Sequence, residues 1–116
     1  MNDTPPRLAI TSGEPAGIGP DLCLQLEASP AAELVVLGDR ELIARRAQLL
    51  GIAFDWPDYE ADKVRPGQIS LQHIPLEVPC KPGQLDAANA DYVLELIRQA
   101  TMGCLTGEFA AMVTAP

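Results

Sequence analysis

The segment from Ile10 to Leu22 reads ITSGEPAGIGPDL and holds the residues of this sequence whose types and spacing best suit ligand binding. Three glycines, Gly13, Gly17 and Gly19, lie between a short apolar run and a predicted helix start. Glycine can adopt positive φ and lets a ligand approach the backbone closely, which we expect of Gly17 and Gly19. The first amides of a helix are unpaired donors. The segment therefore suggests a loop that contacts a phosphate or a nucleotide.

The glycine spacing does not match either of the two common phosphate-binding loops. It is GxxxGxG, whereas the dinucleotide fingerprint is GxGxxG. The P-loop requires a lysine after its last glycine, and no lysine occurs between Met1 and Glu60. Glu14 and Asp21 also add negative charge that would repel an anion. Two interpretations remain: a stiff wall of a ligand cleft, or a tight strand-to-helix turn that holds no ligand.

Four further residues are candidates for chemistry. Glu14 is either a general base or a carboxylate bonded to amides of its own loop, and the pattern favours the second. Asp21 suits the first turn of a helix, where a negative charge complements the dipole. His73, the one histidine, shares a strand face with apolar residues and is predicted to be structural. Asn89 either bonds a neighbouring loop or lies on a solvated face, and the sequence does not decide.

Short apolar runs alternate with helical patterns along the chain. Strands are predicted at 7–11, 34–37, 69–74 and 110–114. Helices are predicted from Gly19 to the Ser29-Pro30 break, from an Asp39 cap to about Leu50, and from about Gln84 to Leu105. This order predicts an α/β fold with a mainly parallel sheet covered by helices on both faces, in three layers.

Periodicity also predicts which faces are buried. In the long helix, an apolar face is formed at +4, +3 and +4 spacing by Val93, Ile97, Ala100 and Cys104. The last strand has no polar alternation and is predicted to be buried, as strands are when both sheet faces are covered. Because ligands bind beyond the carboxyl ends of parallel strands, Thr114 is predicted to contact the substrate.

Composition limits the classes of function. The 116 residues contain 47% hydrophobic and 21% charged residues, which is typical of one globular domain. The net charge of −8 argues against nucleic acid or an anionic membrane as a partner. Three widely spaced cysteines form no CxxC pair and predict free, inert thiols in a reducing, cytoplasmic setting.

Three stretches resemble one enzyme family. GEPAGIGPD strongly resembles the opening motif of the 4-hydroxythreonine-4-phosphate dehydrogenases, which act in pyridoxal phosphate biosynthesis. GQLDAANADYVLELI, residues 83–97, resembles their long helix. GCLTGEFAAMVTAP, residues 103–116, resembles the segment that enters their substrate-binding loop. The sequence resembles isopropylmalate and isocitrate dehydrogenases more loosely, because their first loop carries a shorter GDGIGP-type motif. The resemblance implies their fold, with residues 1–116 as the N-terminal portion of a dehydrogenase domain.

The resemblance also implies an activity. Family members oxidise 4-phosphohydroxy-L-threonine with NAD or NADP, and the resulting 3-oxo acid loses CO₂ to give 3-amino-2-oxopropyl phosphate. A divalent metal is bound by histidines from both subunits of a homodimer. These histidines are expected downstream of Pro116, so no catalytic or metal residue is assigned within this chain. By analogy with the looser relatives, the cofactor cleft is bordered by Gly13, Glu14, Pro15, Ala16, Gly17, Ile18 and Gly19.

Two other functions remain open from the sequence. The first is a sister enzyme of the same fold that acts on a phosphorylated four-carbon sugar acid, 4-phospho-D-threonate or the erythronate analogue. The second is a non-catalytic α/β module, which the lack of His, Lys and metal ligands near the predicted cleft favours for the isolated chain.

Overall fold

Residues 4–116 are described by a computed structural model, and within them a parallel sheet lies between two layers of helix. The strands are β1 Arg7–Thr11, β2 Glu33–Gly38, β3 Ile69–His73 and β4 Ala111–Thr114. The helices are α1 Gly19–Leu24, α2 Arg40–Leu50 and α3 Ala90–Thr106, and a 3₁₀ turn, Ala87–Asn89, precedes α3. The predicted α/β class and all four predicted strands are confirmed.

The sheet order is β3-β2-β1-β4, and each neighbouring pair is parallel. The register pairs Arg7 with Glu33 and Thr11 with Leu37, and pairs Thr11 with Thr114 on the other side. All four strands therefore end at the same edge of the sheet, where ligands bind in α/β folds. The glycine-rich loop after β1 and residues 115–116 after β4 lie together at this edge.

Each face of the sheet has its own apolar core. Helices α1 and α2 cover one face, with a core formed by Ile10, Cys23, Leu24, Val36, Ile43, Ala47, Ile69 and Leu71. Helix α3 covers the other, with a core formed by Ala9, Val35, Leu37, Ile74, Tyr92, Leu96, Ala100 and Phe109. Successive residues of a strand point to opposite faces, so β1 and β2 contribute to both cores. This arrangement confirms the predicted three layers.

Capping residues at both ends explain where α2 begins and ends. The Asp39 carboxylate accepts the Leu42 amide at 2.9 Å, and Gly51 ends the helix with φ of 68°. Aspartate is favoured at the start of a helix because its carboxylate accepts a free amide there. Glycine is favoured at the end because it readily adopts the left-handed conformation. The predicted bounds of this helix are confirmed.

The predicted start of α1 and the predicted end of α3 agree with the structure to within one residue, but the predicted end of α1 and the predicted start of α3 are wrong. Helix α1 ends at Leu24, well before the Ser29-Pro30 break. Helix α3 begins at Ala90 rather than Gln84. The Asp86 carboxylate accepts the Ala88 amide at 3.0 Å and caps the 3₁₀ turn, so regular α-helix starts only after that turn.

The predicted apolar face of α3 is confirmed in part. Ala100 is buried, and Val93 and Cys104 are partly buried against the same core, whereas Ile97 is 41% exposed. The fully buried positions of the helix also include Tyr92, Leu96 and Gly103, which the predicted face did not contain. Gly103 is buried because the Phe109 ring occupies the space of its missing side chain, and a Cβ there would lie 2.2 Å from that ring.

Strand β4 is not buried, contrary to the prediction. It lies at an edge of the sheet within residues 4–116, and Val113 is 55% exposed. An apolar sequence cannot distinguish a central strand from an edge strand. Within the same residues, no helix combines the length and apolarity that crossing a bilayer would need.

Candidate functional site

The glycine-rich segment that follows β1 and ends in the first residue of α1, residues 13–19, is called the signature loop. Gly13 has φ of 79°, and a Cβ on it would lie 2.2 Å from the Pro116 carbonyl oxygen. A Cβ on Gly19 would lie 1.9 Å from the Ser12 carbonyl oxygen. Gly17 has neither a positive φ nor a contact closer than 3.4 Å. The expectation that Gly17 and Gly19 adopt positive φ is therefore wrong, and the atoms that approach Gly13 and Gly19 belong to the chain itself.

Three consecutive N–H donors of the signature loop, those of residues 14, 16 and 17 around Pro15, are committed to hydrogen bonds within the chain. The Glu14 amide donates to the Pro116 carbonyl at 3.1 Å, and the Gly17 amide donates to the Glu14 carbonyl at 3.0 Å. The Ala16 amide donates to Glu14 Oε1 at 3.2 Å, so the Glu14 carboxylate binds its own loop, as the sequence favours. Pro15 has no N–H to offer. With these donors in use, the loop is a poor cradle for a phosphate.

The carbonyl groups of the signature loop are held from α2. Arg46 donates through Nη2 to the Pro15 carbonyl at 2.7 Å and through Nη1 to the Gly17 carbonyl at 2.9 Å. The same Nη1 lies 2.9 Å from Asp21 Oδ1. Asp21 thus lies in the first turn of α1, as predicted, and also has a partner that the sequence did not reveal. Arg46 is only 5% exposed, so this is a buried clamp on the loop.

A second contact comes from the segment before the 3₁₀ turn. The Gly83 amide donates to the Ala16 carbonyl at 2.8 Å. Three consecutive carbonyls of the loop are therefore fixed, two by α2 and one by residue 83. The loop is therefore a rigid elbow. Ile18 is the one residue in it that is classed as exposed, with 59% of its surface accessible.

Thr114 lies beside the signature loop and its side chain is exposed. The Ala115 amide donates to the Thr11 carbonyl at 3.0 Å, which brings the end of β4 against the start of the loop. A groove of about 230 Å³ opens here, and its lining is almost wholly apolar. It is formed by Ile10, Leu22, Cys23, Leu26, Val113, Thr114, Ala115 and Pro116. The groove includes Thr114 but no residue of the signature loop. The loop meets the end of β4 through residues 115 and 116, since the Glu14 amide donates to the Pro116 carbonyl at 3.1 Å.

A buried polar network supports this edge of the sheet from the α3 side. The Tyr92 hydroxyl accepts the Asp39 amide at 3.0 Å and lies 3.4 Å from Ser12 Oγ. Burial is the main cause that raises the pKa of Tyr92 to about 12. Asp39 Oδ2 in turn accepts the Leu76 amide at 2.8 Å. The ends of β1 and β2 are thus tied to α3 and to the loop after β3, a connection that sequence reasoning missed.

Asn89 fixes that same loop. Its Oδ1 accepts the amides of Glu77 at 3.1 Å and Val78 at 3.0 Å, and its Nδ2 donates to the Val78 carbonyl at 3.2 Å. Of the two interpretations left open by the sequence, the bond to a neighbouring loop is the one observed. The side chain is buried, which agrees with a structural role.

The remaining candidate residues have structural surroundings. His73 Nδ1 accepts the Arg40 amide at 3.1 Å, at the start of α2. The three cysteines are free, and burial raises the pKa of the Cys23 thiol to about 11, which keeps it protonated and unreactive at neutral pH. In the part of the chain that the structure describes, no three His, Cys, Asp or Glu side chains are grouped to hold a metal ion.

Comparison with known proteins agrees with the motif resemblance. The profile of the family described as "Pyridoxal phosphate biosynthetic protein PdxA" matches residues 30–116. The 4-hydroxythreonine-4-phosphate dehydrogenase of Chromobacterium violaceum is 50% identical over 113 residues, which is 96% of this chain and 34% of that protein. The Pseudomonas aeruginosa enzyme of the same name is 48% identical over 119 residues, covering 95% of this chain and 35% of that one.

The fold comparison gives the same result. The crystal structure of 4-hydroxythreonine-4-phosphate dehydrogenase from Klebsiella pneumoniae matches with a TM-score of 0.77 and 29% sequence identity. The match covers 100% of this chain and 38% of that one. The chain thus spans about a third of the length of the relatives it matches.

Proposed function

This chain belongs to the PdxA family of pyridoxal phosphate biosynthetic proteins, and we propose that it forms the N-terminal part of a 4-hydroxythreonine-4-phosphate dehydrogenase. The observation that carries the proposal is an identity near one half with enzymes of that name over almost the whole chain. The proposed reaction oxidises 4-phosphohydroxy-L-threonine with NAD or NADP, and the 3-oxo acid then loses CO₂. Residues 1–116 would contribute one side of the cleft.

The signature loop suits a cofactor cleft as a wall rather than as a phosphate grip. Three of its amides and the three carbonyls of residues 15–17 are already hydrogen-bonded within the chain, whereas the Ile18 side chain is exposed at the carboxyl edge of the sheet. A flat ring of a nicotinamide cofactor can pack on such an apolar side chain. When bound, the nicotinamide supplies hydride-accepting chemistry, and the protein supplies orientation. We retain residues 13–19 as the cofactor wall and Thr114 as a substrate contact.

No residue of this chain is given a metal role. The described residues lack a suitable ligand cluster, so they do not fit the divalent ion that the family resemblance implies. We propose that the ligands and the homodimer contacts come from parts of the protein outside these residues. What this chain contributes is binding surface: the rigid elbow, the exposed Ile18 and the end of β4.

The reaction is tested with the complete product of the gene. NAD and NADP are supplied with 4-phosphohydroxy-L-threonine, 4-phospho-D-threonate or the erythronate analogue, and reduced cofactor is followed by absorbance. The proposal expects turnover of the amino acid substrate. Turnover of the sugar acids alone would assign the protein to the sister activity, and failure with all three would favour the non-catalytic module.

The cofactor wall is tested separately through Ile18. The variant Ile18→Ser is expected to raise the KM for the cofactor by roughly tenfold, because about one buried apolar contact of 1–2 kcal/mol is removed. The value of kcat should stay close to that of the wild type. Leu49→Ser is a matched control, since Leu49 is an exposed apolar residue of α2. An unchanged KM in Ile18→Ser would remove Ile18 from the cofactor wall.

A further inference from the structure

Arg46 is a buried arginine that the proposed chemistry does not use. It occupies the inward side of α2, between the core residues Ile43 and Ala47. A buried guanidinium is costly unless its donors are satisfied. Here they meet one carboxylate and two backbone carbonyls, at distances between 2.7 and 2.9 Å. A buried charge with three partners in and beside the signature loop is expected to determine the shape of that loop.

The two carbonyls that Arg46 contacts lie on either side of Ala16. Because Pro15 and Gly17 are both held by one planar group, the orientation of two peptide planes is fixed at once. The residue that follows is Ile18, whose side chain is exposed. Arg46 thus fixes the backbone immediately before the position that we place against the cofactor.

Asp21 completes the arrangement. Its carboxylate accepts from the same Nη1 atom that donates to the Gly17 carbonyl, so the start of α1 and the signature loop share one anchor. A lysine could retain the ion pair, but its single ammonium lacks the planar fork that reaches both carbonyls. Replacing Arg46 by lysine therefore tests the planar guanidinium separately from its positive charge.

We propose that Arg46 is the positioning residue of the signature loop. Its guanidinium, acting from α2, holds the Pro15 and Gly17 carbonyls so that Ile18 stays directed outward at the carboxyl edge of the sheet. The role of the loop as a cofactor wall rests on the proposed function, whereas the positioning role itself does not. Arg46 acts on any ligand only through the loop.

The test is amide hydrogen exchange, measured by NMR on the complete product of the gene. The reporters are the amides of Ala16 and Gly17, which are bonded within the loop, and the core amide of Val36 in β2. Arg46→Met removes the fork and the charge at similar volume, and Arg46→Lys keeps the charge. Arg45→Met and Arg45→Lys are matched controls, since Arg45 is the exposed neighbour on the same helix.

The loop amides are expected to exchange at least roughly tenfold faster in Arg46→Met, because two charge-assisted hydrogen bonds to the loop are lost. Arg46→Lys should accelerate them as well, by a smaller factor, and it keeps the test valid if the methionine variant fails to fold. The Val36 amide and both Arg45 variants should show much smaller changes. Equal acceleration of loop and core amides would show a merely structural role, and unchanged loop amides in Arg46→Lys would also overturn the proposal.

A separate measurement distinguishes this proposal from the proposed function. Wild-type complete gene product is titrated with NADH and with NADPH, and binding is followed by cofactor fluorescence. If neither binds, the proposed cofactor role is wrong, while the exchange data still decide whether Arg46 positions the loop. If one of them binds and the loop exchange is insensitive to Arg46, the positioning role is wrong, and the cofactor wall is decided by Ile18→Ser.

Discussion

Replacing Tyr92 by phenylalanine removes one buried oxygen that joins three elements of the fold. The hydroxyl accepts the Asp39 amide at 3.0 Å and lies 3.4 Å from Ser12 Oγ. Since the ring remains, packing in the core around α3 is retained. The Asp39 amide, however, loses its partner at a buried site. An unpaired buried donor costs about 1–3 kcal/mol, so Tyr92→Phe should lower the free energy of unfolding by that amount near neutral pH.

The size of this effect should depend on pH, with a sign fixed by the pKa of Tyr92. Burial, the largest cause, raises that pKa from its ordinary 10.0 to about 12 in the folded protein. Below pH 10 both states keep the proton, so the contribution of the hydroxyl is fully present. As pH rises from 10 to 12, the unfolded state loses its proton first and the folded state is destabilised. Two pKa units correspond to roughly 3 kcal/mol.

Phenylalanine has no proton to lose, so the free energy of unfolding of the variant does not include this decrease between pH 10 and 12. The stability difference between wild type and Tyr92→Phe should therefore shrink above pH 10 and approach zero or reverse near pH 12. Tyr59, the other tyrosine, also has a raised pKa, because of burial and a hydrogen bond to Glu108. Its contribution is common to both proteins and cancels in the difference.

Urea unfolding followed by fluorescence of the single tryptophan, Trp56, measures the effect at about pH 8 and about pH 11. The reasoning is refuted if the stability difference is the same at both values, or if Tyr92→Phe matches the wild type at about pH 8. A matched control is Tyr59→Phe, whose hydroxyl donates to Glu108 and accepts from Arg7 Nη1. Arg7 keeps other acceptors, Glu33 and the Lys63 carbonyl, so this change should cost less near neutral pH.

Three further predictions can be measured by the same urea unfolding. Gly103→Ala should destabilise by about 1–3 kcal/mol, because its Cβ would lie 2.2 Å from the Phe109 ring; no change would mean that the ring moves aside freely. Gly19→Ala should destabilise by more than about 2 kcal/mol, because its Cβ would meet a backbone carbonyl oxygen at 1.9 Å. Gly17→Ala should stay within about 1 kcal/mol of the wild type, because its Cβ has space. Equal effects would contradict the packing described for the loop. Asn89→Leu should lose about 1–3 kcal/mol, since the Glu77 and Val78 amides and the Val78 carbonyl lose their partners on a buried side chain, and a smaller loss would indicate that water replaces the amide.

The parts of the fold that the sequence predicts are those set by neighbouring residues. Helix α2 is the clearest case, because Asp39 and Gly51 define its two ends through local backbone geometry. The hydrogen bond from the Ala16 amide to Glu14 spans two residues and is also predicted. In contrast, the exposure of β4 depends on which strands lie beside it, and no pattern within Ala111–Thr114 records that.

The supports of the candidate site were missed because they are distant in sequence. Arg46 lies 25 residues from Asp21 and 31 from Pro15, and Tyr92 lies 53 residues from Asp39. Apolar periodicity treats an arginine or a tyrosine hydroxyl as a surface feature. The one available signal was position: Arg46 stands between Ile43 and Ala47 on the inward side of α2, where a charge needs a buried partner.

Most residues of the signature loop are explained by contacts within the chain itself. Gly13 accommodates the carbonyl of Pro116, Glu14 binds the Ala16 amide, and Gly19 fits against Ser12. A ligand therefore did not need to dictate most of these residues, because the elbow itself requires them. Ile18 differs, since its side chain takes part in none of these contacts and is 59% exposed. Ligand contact can change at this position without disturbing the elbow, which makes Ile18 the residue of the loop where binding and folding can be separated.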